Sequence, residues 1–137
     1  MEKLFNTFSI VGGTIGGLIV SFLGGWDKLA ITLVAFIVID YFTGILKAIF
    51  NRQLSSEIGI NGIIKKVLIL VTVGIAVLIE TNLGIPSVRE IVMMFFICNE
   101  GISLLENIAQ MGLPVPEKLK EVLLQLREKK EENKNEK

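Results

Sequence analysis

The chain has 137 residues, 51% of them hydrophobic, and its fourteen basic and fourteen acidic side chains cancel to zero net charge. A mean hydropathy of +0.62 is too high for a soluble two-layer domain of this length, and the charges gather in a few segments, so no surface for nucleic acid follows from them. The absence of histidine and the lone Cys98, set in an apolar run, remove the commonest general base, an internal disulfide and a thiolate metal cluster, and no phosphate-binding loop, nucleophile elbow or zincin motif offers an enzyme or a cofactor in their place.

The first apolar stretch, about residues 4–25 (LFNTFSIVGGTIGGLIVSFLGG), is long enough to cross a hydrocarbon core of about 30 Å as a helix. Lys3 would suit a signal peptide, but the apolar run exceeds the usual h-region and no A-x-A-like cleavage site follows, so the stretch reads as a retained span. Gly12, Gly13, Gly16 and Gly17 form two overlapping G-x-x-x-G pairs. Small residues permit close backbone approach in lipid, which serves either self-association or packing against another helix of the same chain.

The second stretch, about 29–50, carries Asp40 near its centre, with Thr43, Gly44 and Lys47 on the same helical face. Lys47 lies close enough to the end to snorkel to the interface. The polar run NRQLSSEIGINGIIKK that follows reads as a loop or a short interfacial helix. The third span, about 63–83, has a short apolar centre, so Lys65 and Lys66 are expected to snorkel at one end while Glu80 lies near the other. Asn82, Gly84 and Pro86 then predict a turn.

The fourth span, about 88–111, is the least lipid-like. At about 100° per residue Asn99, Glu100, Ser103, Glu106, Asn107 and Gln110 fall on one side, away from Met94, Ile97, Leu104, Leu105 and Ile108. Such a helix belongs inside a bundle, beside water or at the interface, and spanning is favoured. Asp40, Glu80 and Glu100 thus sit within apolar runs, where one carboxylate near the midplane costs about 2.5–3.5 kcal/mol on insertion scales and is expected to face helices or water.

After Pro114 and Pro116 the tail, 117–137, begins with Leu119, Val122, Leu123 and Leu126 at helical spacing and ends in mixed charge. Its first half reads as an amphipathic helix for partner tails or the membrane surface, and its last residues as a solvated, disordered tail. Lys3, the connection bearing Lys47, Arg52, Lys65 and Lys66, and the basic tail fall on one side of a four-span chain, whereas the other connections offer only Lys28 and Arg89. The positive-inside rule puts both termini in the cytoplasm. The expected fold is an all-α integral membrane protein, residues 1–116, with four transmembrane helices and a cytoplasmic tail, 117–137.

FLGGWDKL at 22–29, IDYFTG at 39–44, the serines at 55 and 56, NGIIKK at 61–66 and ICNEGISLLENIAQMGLPVPEKL at 97–119 together resemble the bacteriophage lysis and toxin-secretion holin family. The resemblance covers most of the chain. It implies a non-enzymatic protein of the bacterial cytoplasmic membrane that forms homo-oligomers in the lipid bilayer and opens lesions releasing an endolysin or toxin as cargo. The family motif falls here on Asp40, Tyr41, Thr43, Gly44, Gly62, Lys66, Asn99, Glu100, Ser103, Glu106 and Asn107. Lys47 and Glu80 join these polar positions as candidates for a pore or oligomer contact. A small four-helix proton-coupled transporter and an accessory membrane subunit are the competing readings.

Overall fold

The computed structural model describes residues 1–135 as five helices: α1 (Glu2–Phe22), α2 (Lys28–Phe50), α3 (Ser56–Leu83), α4 (Val88–Gln110) and α5 (Glu117–Asn135), with no strand among the described residues. The first four are long and apolar enough to cross a membrane. Local chemistry sets their ends. Asp27 caps α2 by accepting the Ala30 N–H at 2.9 Å, and Ser55 caps α3 by accepting that of Ile58 at 3.2 Å, each satisfying a donor the helix leaves open. Gly84 closes α3 at φ +66°, a left-handed conformation that costs glycine nothing.

The Ser55 cap explains one departure from the sequence reading. The segment expected as a loop or separate interfacial helix is instead the first turns of α3, which runs unbroken for 28 residues. Gly59 and Gly62 do not interrupt it, because Tyr41 of α2 fills their side: its hydroxyl donates to the Gly59 carbonyl at 3.4 Å. A Cβ on Gly62 would lie only 3.0 Å from the Tyr41 ring.

α4 is the centre of the bundle, packing most extensively on α2 and then on α3, while α2 and α3 barely meet each other directly. Leu23, Ala30, Leu33, Ile37, Ile69, Val73, Met93 and Ile97 form the apolar core between them. Outward-facing side chains remain apolar, including Val38, Phe42, Leu68 and Ile75, as a lipid-facing surface requires.

The first and last helices differ in how they join this bundle. α1 has no buried residue, and a Cβ added at Gly12, Gly13, Gly16 or Gly17 would meet nothing within 4 Å. Their small-residue face therefore does not pack within the chain among the described residues. Only the end of α1 reaches the bundle, where the Phe22 ring fills the space a Cβ on Gly74 would take. Of the tail's apolar stripe Leu123 turns onto its own chain: α5 folds back along α4, and Leu123 and Phe36 lie 3.1 and 3.0 Å from where a Gly101 Cβ would project, while Leu119, Val122 and Leu126 stay exposed. The helix continues through the mixed-charge residues to Asn135, in place of the disordered end expected there; residues 136 and 137 of that segment lie outside the described residues.

Candidate functional site

Three helices each bring one ionisable side chain to a common point. Lys66 of α3 donates through Nζ to Asp40 Oδ2 of α2 and to Glu100 Oε2 of α4. Asp40 and Glu100 are only 5% and 7% exposed, so this bridge replaces most of the solvation their charges lose. With all three ionised, two carboxylates against one ammonium leave one negative charge in excess.

Asn107 completes the cluster. Its Nδ2 donates to Asp40 Oδ1 at 3.2 Å, to the Asp40 carbonyl at 3.3 Å and to Thr43 Oγ1 at 3.2 Å, while Thr43 Oγ1 donates to the Asp40 carbonyl at 3.1 Å. Gly44 faces the same group: a Cβ there would lie 3.7 Å from Asn107 Nδ2, an ordinary van der Waals contact. No buried side-chain nitrogen or oxygen among the described residues lacks a partner, and such satisfied networks hold one arrangement of helices. The cluster forms the floor of a cavity of about 610 Å³ that opens between α2 and the first half of α3, with Lys47, Lys65 and Ser103 also lining it.

A second ionic cluster sits at the opposite end of the core. Arg89, buried at the start of α4, holds Asp27 through both carboxylate oxygens, Nη1 to Oδ2 at 2.7 Å and Nη2 to Oδ1 at 3.1 Å. Its Nε donates to the Leu23 carbonyl at 2.6 Å and its Nη2 to that of Gly25 at 3.4 Å. Glu80 Oε2 accepts the Arg89 backbone N–H at 3.0 Å. The guanidinium and the Ala30 N–H pull the Asp27 carboxyl down to about 2, so the pair stays ionised at any ordinary pH.

The sequence-selected residues therefore divide. Asp40, Thr43, Glu100 and Asn107 converge, with Lys47 and Ser103 beside them in the cavity wall. Glu80 belongs to the Arg89 cluster. Asn99 is half-buried outside the bonded network, and Glu106 is exposed beside a different cavity, near Lys120 of α5. The polar side expected along α4 is thus no single surface: Glu100 and Asn107 point inward and Glu106 outward.

Sequence reasoning placed Lys66 at the interface and Arg89 in a connection, yet both are the organising cations. For Lys66 the available signal was its position one turn beyond Gly62, on the side of α3 that meets Tyr41. For Arg89 it was the lone basic residue of its turn, set opposite an Asp in helix-capping position.

Comparison with known proteins bears on what this arrangement serves. Residues 17–128 match the model of the bacteriophage holin family. An uncharacterised 14.9 kDa protein from the nagH 3' region of Clostridium perfringens is 44% identical over 95% of this chain and 100% of its own length. A Listeria monocytogenes protein is 43% identical over 90% of this chain and 87% of its own. A probable holin of Bacillus phage phi105 is 35% identical over 58% of this chain and 59% of its own. No solved structure matches. A match over most of the chain, together with four helices able to span a bilayer, establishes a multi-pass membrane protein that belongs to the bacteriophage holin family.

Proposed function

We propose that the chain oligomerises in the bacterial cytoplasmic membrane, both termini inside, and opens lesions through which an endolysin or toxin leaves the cytoplasm. The spacing of the two ionic clusters carries this reading. Arg89 and Glu100 are eleven residues apart on α4, about 16 Å at 1.5 Å per residue, and Asp27 and Asp40 are thirteen apart on α2, about 20 Å. A bilayer presents about 30 Å of hydrocarbon.

The fully apolar layer of this bundle is therefore little more than half a membrane thick. Water entering the cavity to the level of Lys66 would leave only that layer between the two sides. Charge buried at this depth is costly in lipid and becomes cheap once wet, so neighbouring copies that turn the Asp40–Lys66–Glu100 cluster toward shared water favour an open assembly. The small-residue face of α1, unused among the described residues, supplies a surface for contact between copies.

The test is expression of the full chain in bacteria with and without a cytoplasmic muralytic enzyme, following turbidity, membrane potential and release of a cytosolic reporter protein. Loss of potential followed by lysis that needs both proteins is the expected result. An intact potential with no enzyme release would overturn the reading, and coupled substrate uptake under those conditions would replace it with a transporter.

A further inference from the structure

We propose that the cavity between α2 and α3 binds the phosphate of an anionic phospholipid headgroup, with Lys47 and Lys65 as its cationic contacts. The inference rests on the four-span arrangement and not on lesion formation.

Charge assigns the ligand's sign. The two carboxylates in the floor of the cavity are both engaged by Lys66, whereas Lys47 on α2 and Lys65 on α3 line it with no acid in ion-pair reach among the described residues. Three ammonium groups against two carboxylates leave the lined volume one positive charge in excess. Gln53 and Asn61 add neutral amide donors to the lining. Two lysines from different helices, with two amides in the same lining, suit a compact, multiply accepting anion, which describes a phosphate better than a single carboxylate.

Surroundings assign the source. Ile58 of α3 lines the cavity, and it and Phe50, three residues beyond Lys47 on α2, are 45% and 64% exposed, an apolar surface that meets lipid where the helices span. A free phosphate would gain nothing from that apolar border, whereas a phospholipid would fill the cavity with its headgroup and cover Phe50 and Ile58 with its chains. Basic pockets between spans near the interface recognise anionic headgroups by this combination. The sparse direct packing of α2 on α3 leaves the cleft for it.

The experiment equilibrates the purified full chain with vesicles of equal phosphatidylglycerol and phosphatidylcholine, then measures the lipid retained in detergent by native mass spectrometry. The wild type is expected to enrich phosphatidylglycerol. Each lysine contributes about five-fold, so K47Q/K65Q loses roughly 25-fold of the preference, each single variant loses about five-fold, and K47R/K65R keeps it. Far-ultraviolet circular dichroism checks that the helices persist; if the double variant unfolds, the single variants decide.

K118Q/K120Q removes as much charge from α5, outside the cavity, and should leave the preference unchanged. An equal loss there would show diffuse attraction to basic residues and overturn the site. Millimolar glycerophosphate that displaces the lipid completely would overturn the phospholipid reading in favour of a soluble phosphate ester. No preference in the wild type would overturn both.

Discussion

Removing the ammonium of Lys66 tests the central cluster most directly. In Lys66→Met the apolar stem is nearly preserved, but Asp40 and Glu100 lose the cation they share. Two ordinary charge-assisted bonds of about 2.8 Å through one nitrogen place the carboxylate oxygens at most about 5.6 Å apart. At an effective dielectric of about 20, their unopposed repulsion is then near 3 kcal/mol. That falls in the range of about 3–5 kcal/mol observed when one member of a buried ion pair is removed, and about 3 kcal/mol is a shift of about two decades in the folding constant.

The triple variant D40N/K66M/E100Q keeps the shapes and removes all three charges, so it should recover most of the loss, since neutral replacement of a buried ionic group is often without cost. Denaturant unfolding of each variant in a mild detergent, followed by helicity, measures the difference. If Lys66→Met is no less stable than the triple variant, the bridge is not holding the helices and the reasoning fails.

Three further outcomes follow from the structure. Asp27→Asn should destabilise the bundle near neutrality, and because the Asp27 carboxyl is lowered from 3.8 to about 2, the wild type's advantage should be complete above pH 3.8 and fade as pH falls toward 2, as thermal unfolding of both proteins across that window would read. Gly24 sits at φ +78°, and a Cβ there would lie 2.7 Å from Arg89 Nε, so Gly24→Ala should cost about 2–3 kcal/mol; Gly25→Ala, at φ +116° with nothing within 4 Å, should cost only the backbone strain of about 1–2 kcal/mol. Leucine at Gly13 and Gly17 should leave the thermal stability of the isolated chain unchanged or slightly raised, while lowering cross-linking between copies in membranes if α1 is the contact surface.

How much of this was visible beforehand depended on the range of the interaction. Hydropathy runs and breaker residues marked out four long apolar helices, with only the third displaced, by seven residues at its start, because each helix must satisfy its own backbone in lipid. The start of α3 was missed because a serine cap and a tyrosine from α2 outweigh two helix-weakening glycines, and the tyrosine contact links residues 18 positions apart. Asp40 and Glu100 were conspicuous as acids in apolar runs. Their cation was not, because Lys65 and Lys66 differ by only about 100° around a helix that is apolar on nearly every side. Arg89 was harder still, since its partners Leu23, Gly25 and Asp27 lie more than sixty residues away.

The Arg89 cluster also anchors the amino-terminal end. α1 joins the bundle through Gly24 and Gly25, and the carbonyls of Leu23 and Gly25 are pinned by a single guanidinium. With no buried residue of its own, α1 has the geometry of a lever about 31 Å long on a two-glycine pivot, steadied by the Phe22 ring at Gly74. A tilt of about 10° at that pivot carries its far end about 5 Å, a full helical pitch. One guanidinium, with the Phe22 ring seated at Gly74, thereby sets where this 21-residue helix is presented within the plane of the membrane.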